Sequence, residues 1–387
     1  MARRFGFVAV VLALASLGAA ALPVAQTPAP PVVVHEWGTF TSVAGPEGDA
    51  VDWDAQGGPQ DLPCFVDRFR YTCVKCMLMS RIRMETPVLY FYAREDATMN
   101  VRVGFRQGAI SEWYPHAEVT PNPVDPAKIR LAEFRSDANW GAVRILPGAA
   151  ETYPTESADT HYYIARRTDA SPIEVNGQRE KFLFYRGIGA FQPPIRATAR
   201  ESGAIDVASP DGAPLGDVIF FENRGGAMGY AIRRGAGARV SFEPLALEGN
   251  LDPPTAELER ILVAHGLYAK EAKAMVDTWR DSWFTEGARL FYIAPRTMVD
   301  QTLPLTLQPA ASELVRAFVG RVELYTPTTA RDLTAAFAAN DMPVLKSYGR
   351  FLSPMIDRLA AGKPREELTR LWAIAARATP YTVATCR

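Results

Sequence analysis

Val101-Arg102-Val103-Gly104-Phe105-Arg106 sets apolar side chains against polar ones in strict alternation. Successive side chains of a strand point to opposite faces, so this stretch predicts a strand with one dry face and one wet face. Just upstream, Val88-Leu89-Tyr90-Phe91-Tyr92-Ala93 is apolar on both faces. That pattern predicts a central strand covered on both sides. Downstream, Ile173-Glu174-Val175 and the run 178–186 flank Asn176-Gly177. Asn-Gly supplies the two positive-φ residues of a type I′ turn, so a hairpin is expected there. Residues 218–221, 229–233 and 239–247 continue the pattern of short strands between Gly, Pro, Asn and Asp clusters. Together they predict an antiparallel, sandwich-like β region over 32–250.

The character changes at Asp252-Pro253, which reads as an N-cap followed by a first-turn proline. Leu258, Ile261, Leu262 and His265 then recur at helical spacing, with Gly266 as the stop. A second helix is expected from Ala269, with Ala272, Met275, Val276, Trp279 and Trp283 as its apolar stripe. Strands are expected again at 289–294, 302–307 and 318–326. The end reads as helical: Thr329 with Asp332 resembles a capping box, 343–362 splits at Ser353-Pro354, and Pro364 opens a last helix burying Leu368, Leu371, Trp372 and Ala375. Residues 251–387 are therefore a helical and mixed portion, either separate or completing the β-core. The fold class expected is mostly β with a helical C-terminal portion, α+β overall.

The first residues carry an address. Arg3-Arg4, an apolar run over 5–17 and Gly18-Ala19-Ala20-Ala21 have the three-part layout of a secretory signal peptide. The run is shorter than the roughly 20 residues of a membrane-spanning helix. Residues 1–21 are thus expected to be removed and 22–31, rich in Pro and Ala, to act as a spacer. The expected location is periplasmic or extracellular, with no transmembrane segment left. Composition is that of an ordinary globular chain, 48% hydrophobic and 22% charged at a formal net charge of −1, which gives no basis for nucleic acid as a partner. Export makes disulfides the default for Cys64, Cys73, Cys76 and Cys386, whose pairing spacing alone does not choose. A zinc site from Cys64, Cys73, Cys76 and a His is the alternative.

No complete catalytic motif appears. His35-Glu36-Trp37 lacks the second His of a zinc protease, no GxSxG elbow or dinucleotide fingerprint follows any strand, and Gly225-Gly226 is too short for a phosphate loop. Neither a cofactor nor a metal is expected. The acids best placed for general acid/base work are Glu36, Glu85, Glu112 and Asp281. On a strand His35 and Glu36 point to opposite faces, so one pocket takes at most one of them. Arg83 and Glu85 stand at the mouth of a buried strand, as a cleft wall or as a structural ion pair. Trp113, Tyr114, His161 and Tyr163, with His35 and Arg83, are the ligand-contact candidates. Aromatic rings beside an acid suit a sugar, whereas the plainer reading buries them in the core.

The strings HEWGTF (35–40), ETPVLYFYA (85–93), SEWYP (111–115) and TWRDSWF (278–284) resemble a set of exported bacterial proteins that carry no assigned activity. The resemblance spans most of the mature chain and implies one integrated exported protein, with no site residues to transfer. Two functions are expected from the residues. One is a binding or scaffold protein holding a glycan or an envelope protein on an aromatic-lined β-face. The other is a carboxylate-dependent hydrolase acting on glycans.

Overall fold

A computed structural model describes residues 30–57, 61–70, 78–126, 129–156 and 160–378. Strands dominate the first part: β1 (Val33–Val43), β2 (Asp67–Arg68), β3 (Ile82–Tyr92), β4 (Ala97–Arg106), β5 (Gly108–Tyr114), β6 (Glu118–Thr120), β7 (Arg135–Ile145), β8 (Ile173–Val175), β9 (Gln178–Glu180), β10 (Leu183–Gly189), β11 (Arg196–Ala199), β12 (Ile205–Ala208), β13 (Gly216–Arg224), β14 (Ala227–Ala236) and β15 (Arg239–Phe242). Helices α1 (Asp252–Ala264) and α2 (Ala269–Trp283) follow, then β16 (Gly287–Ile293), α3 (Arg296–Thr302), β17 (Leu305–Gln308) and β18 (Glu313–Leu324). The chain ends in α4 (Pro327–Ala339), α5 (Met342–Ser347), α6 (Leu352–Leu359) and α7 (Arg365–Ala378). The class is mostly β with helices concentrated in the C-terminal part.

The spine is a nine-stranded sheet in the order β14-β13-β16-β18-β1-β3-β10-β5-β2. One face packs on a six-stranded sheet containing β4, β7 and β17 and on the three-stranded sheet β11-β12-β15. Val34, Leu89, Phe91, Leu290 and Phe318 from the spine meet Val101, Val103, Val143, Ile205 and Phe242 in that core. This is a β-sandwich, and the 101–106 alternation sits on it as expected: Val101, Val103 and Phe105 are buried, and Arg102 and Arg106 face out. β3 lies between β1 and β10 and is covered on both sides, because Leu89 and Phe91 join the sandwich core while Val88 and Tyr90 join the helix-side core.

The other face carries the helices. Met275, Trp279 and Trp283 of α2 and Leu258, Ile261 and Leu262 of α1 cover Trp37, Val88, Phe221 and Phe291. α4 to α7 cover the far end around Val43, Trp53 and Ile188. β16 and β18, from beyond residue 250, are interior strands of the spine. β18 runs parallel to β1, from Val33 against Glu313 to Val43 against Glu323. Among the described residues no helix is long and apolar enough to cross a membrane.

Several local expectations need correction. The 173–186 hairpin turns at Asn176 and Gly177, both with positive φ, but its second arm divides. β9 pairs with β8 in the six-stranded sheet, then the chain crosses at Lys181-Phe182 and β10 enters the spine. The change from Gln178-Arg179-Glu180-Lys181 to the apolar 182–185 does not by itself reveal that the two halves serve different sheets. Asp252 is the first residue of α1 rather than its cap, and Leu251 holds the cap position. The strand expected at 302–307 begins at Leu305, after α3 over 296–302, a helix whose seven residues are too few to display a helical period. Trp372 is exposed, because the buried side of α7 runs through Leu371, Ile374 and Ala375.

Phe318 is fully buried and stacks on Phe40 with ring centroids 4.9 Å apart, at the meeting of spine and sandwich. Phe318→Ala is expected to cost about 3–5 kcal/mol, through lost burial and the cavity left behind. Urea unfolding would read this as a lower midpoint with an unchanged slope.

Candidate functional site

Along each spine strand the helix-facing residues run from apolar to charged. On β18, Ala317 and Val319 lie under α1 and α2, and the same face continues as Arg321 and Glu323. On β10, Phe184 gives way to Arg186 before Ile188 meets the terminal helices. Arg289 on β16, Thr41 on β1 and Arg83 with Glu85 on β3 complete a belt of buried polar groups across the sheet. The belt lies in the seam between the two helical covers.

Irregular backbone lets β3 serve both the belt and the apolar cluster. Glu85 and Val88 are three residues apart, a spacing that an unbroken strand would send to opposite faces. The pairing of β1 with β3 slips between Trp37 and Thr39, and that of β10 with β3 slips between Phe184 and Gly187. Thr86 takes up the slip at φ 45°, a left-handed conformation that is costly for a β-branched residue. Its hydroxyl accepts from Arg186 Nη2 at 3.4 Å.

The belt's carboxylates are shared between guanidinium groups. Glu85 Oε1 lies 3.0 Å from Arg83 Nε and 3.6 Å from Arg350 Nη1, and Oε2 accepts from Thr41 at 3.1 Å. Asp61 accepts both forks of Arg186, at 2.8 and 3.2 Å. Glu323 Oε1 lies 2.9 Å from Arg289 Nε and 2.6 Å from Arg321 Nε. Burial alone would raise the Glu85 carboxyl; Arg350, Arg83 and Arg321 override it and hold the group below the ordinary carboxylate range. Asp61 is likewise held down, with Arg186 overcoming the effect of burial. Arg350 is pushed down to about 10, first by burial and then by Arg83.

At the β16 and β13 end the belt meets a cavity of about 830 Å³. Arg289 forms the link: its Nη1 donates to the Thr285 carbonyl and its Nη2 to the Glu286 carbonyl, each at 2.7 Å. One wall is the β13–β14 turn at Gly225 and Gly226, both with positive φ, together with the Thr285-Glu286 loop. The facing wall is Ala335, Ala336 and Ala339 of α4 with Pro343 and Val344 of α5. Arg224 reaches in but is fully engaged by Glu222 (2.8 Å), Thr329 (2.9 Å), Thr326 (3.0 Å), Asp332 (3.3 Å) and Tyr348 (3.4 Å). Glu286 Oε2 accepts the Gly225 N–H at 2.9 Å. Burial pushes the Glu286 carboxyl above its ordinary range, and Asp332 adds to this against Gly225 N–H and Arg224.

The belt gathers three of the residues singled out from sequence: Arg83, Glu85 and Glu112. Glu112 is half-buried, accepts from the Ser111 hydroxyl and helps hold the Arg186 guanidinium protonated. The other acids are elsewhere. Glu36 lies on the sandwich face, fully buried, paired with Arg316 and bonded by the Tyr185 hydroxyl. Asp281 is exposed on α2. His35 points the opposite way from Glu36, as expected, and its Nδ1 lies 2.7 Å from Glu271 Oε2. Glu271 also accepts from the Tyr92 hydroxyl at 2.8 Å.

The aromatic candidates are mostly interior. Trp113 is in the sandwich core and Tyr114 in the helix-side core, so this pair forms no exposed ring surface. His161 and Tyr163 belong to a 3₁₀ turn (His161–Arg166), where the Tyr163 hydroxyl accepts the Glu156 N–H and Arg166 stacks on its ring. Cys64 is not free, and Cys73, Cys76 and Cys386 lie outside the described residues. Among the described residues no three His, Cys, Asp or Glu converge as a metal site. Sequence reading missed Asp61, Arg186, Arg289, Arg321, Glu323 and Arg350, and the cavity residues Arg224, Glu286 and Asp332. The signal present was a charge inside an apolar run, as in Leu183-Phe184-Tyr185-Arg186-Gly187-Ile188.

Glu85→Gln leaves Arg83 and Arg350 without their shared counter-charge and is expected to cost about 3–5 kcal/mol. A carboxylate whose folded pKa is depressed contributes stability above its unfolded pKa and loses it as pH falls through the folded value. The wild type should therefore lose thermal stability progressively below about pH 4. Glu85→Gln should start lower and decline less steeply over the same acid range, read by thermal denaturation against pH.

Compared with known proteins, the chain matches no family model and no curated protein.

Proposed function

We propose that this chain is an exported, envelope-associated binding protein whose ligand occupies the cavity between the β13–β14 turn and helices α4 and α5. The observation that carries the reading is that cavity. At about 830 Å³ it lies within the size range of small-molecule sites, and it pairs an apolar helix wall with a few convergent polar groups. The leader at 1–21 supports export, and the four cysteines support an oxidising compartment with disulfides.

The alternative, a carboxylate hydrolase, finds less support in the acids of the belt and in Glu36 and Asp281. Such chemistry needs one carboxyl able to hold a proton near neutral pH beside a second that stays ionised. Glu85 and Asp61 are both held ionised by guanidinium groups. Glu36 is locked to Arg316 on the other face of the sheet, and Asp281 is exposed on a helix surface. The burial of Trp113 and Tyr114 moves the expected ligand contact from an aromatic β-face to the cavity.

Ala335 is exposed on α4 and lines the cavity, so a large side chain there fills the space without entering the core. Native mass spectrometry of the mature protein after incubation with an envelope extract should show a retained small molecule in the wild type and none in Ala335→Trp. Equal retention by both proteins, or turnover of an envelope glycan by the wild type, would overturn the proposal.

A further inference from the structure

We infer that the cavity takes an organic cation, an ammonium group carried on a short apolar body; this rests on the binding reading of the same cavity. The charged residues lining it are Arg224, Glu286, Asp332 and Asp341, three carboxylates to one guanidinium. Arg224 has no capacity for an incoming anion, because its nitrogens already serve two carboxylates and three hydroxyl groups. Asp341 is occupied in capping α5, accepting the Val344 N–H at 3.2 Å. Asp332 holds Arg224 through one oxygen at 3.3 Å.

Glu286 is the group left wanting. It is half-buried against the β13–β14 turn, and among the described residues its one bonded partner is the Gly225 N–H. A carboxylate offers about four lone-pair positions, so most of its capacity faces the cavity unspent. Its carboxyl is raised because burial, with Asp332 adding to it, outweighs the Gly225 N–H and the fields of Arg224 and Arg289, neither of which bonds it directly. An ammonium ion offers three donors and a full positive charge, which supplies what Glu286 lacks. The opposite wall of Ala335, Ala339, Pro343 and Val344 suits a few methylene groups, and Val344 is among the few large apolar side chains left exposed. A neutral ligand would bring no charge to Glu286, and an anion would meet the carboxylates of Glu286 and Asp332.

Hexylammonium, 1-hexanol and hexanoate share a body and differ in head group, so they separate the charge from the apolar wall. Calorimetric titration at pH 7 should show hexylammonium binding at least about tenfold more tightly than either analogue. Glu286→Gln should reduce hexylammonium affinity by about tenfold and leave hexanol within about twofold. Ala335→Trp should remove binding of all three. Asp332→Asn, which leaves Arg224 held by Glu222 and the two threonines, should weaken hexylammonium in the same direction and serves if Glu286→Gln fails to fold by circular dichroism. Hexanol or hexanoate binding as tightly as hexylammonium, with Ala335→Trp still abolishing it, would overturn the cation while leaving the cavity as the site. No binding of hexylammonium would also overturn the inference, and the retained-ligand experiment then judges the binding reading independently.

Discussion

A guanidinium group withdrawn from water must find a counter-charge, and most of this architecture follows from meeting that demand several times in one seam. Arg83 and Arg350 share Glu85, Arg289 and Arg321 share Glu323, and Arg186 holds Asp61. The partners come from distant parts of the chain: β3 is tied to the segment between α5 and α6, and β10 to the loop before β2. Apolar helices cannot rest on such a surface. The cover over the sheet therefore divides, with α1 and α2 on one side and α4 to α7 on the other. The cavity opens where this divide reaches the β16 end.

The belt is not to be credited with large net stability. Desolvation of buried ion pairs consumes much of their mutual attraction, and well-packed apolar residues often do as well. What the pairs enforce is register. Arg321 and Glu323 meet Arg289 only if β18 and β16 align as they do, and Thr41 reaches Glu85 only if β1 and β3 keep their slip at Gly38. A one-residue shift would turn every charge of a strand into the sandwich core. The left-handed Thr86 is tolerated within this arrangement because it delivers Glu85 to the belt and Val88 to the apolar cluster from one strand.

How much of this could be read from the sequence depended on range. Period-two alternation located β4 and a run apolar on both faces located β3, and each gave the right burial, since both patterns are local properties of the strand. The Asn176-Gly177 turn was equally local. The crossing at Lys181-Phe182 was hidden, because the change from polar 178–181 to apolar 182–185 does not say that the two halves join different sheets. Arg83 and Glu85 drew notice as an adjacent charged pair, but Arg186, Arg321 and Arg350 each stand alone in their own segment. Their significance exists only once five strands and a helical turn converge. Trp113 and Tyr114 illustrate the opposite case: side chains chemically suited to a sugar were needed for packing.

Glu85 and Glu286 make the final contrast, since the side chain is the same and the surroundings are reversed. Glu85 is fully buried among more guanidinium groups than it can satisfy, so its charge is fixed and its lone pairs are spent. Glu286 is half-buried beside one backbone N–H, near two arginines bonded elsewhere and an aspartate that repels it. Glu85, Asp61 and Glu323 each meet a guanidinium group directly, whereas Glu286, which faces an open cavity with an apolar wall, is bonded by a backbone N–H. The incompleteness falls where a ligand can reach it, which is why recognition is assigned to the end of the belt and not to its more heavily charged centre.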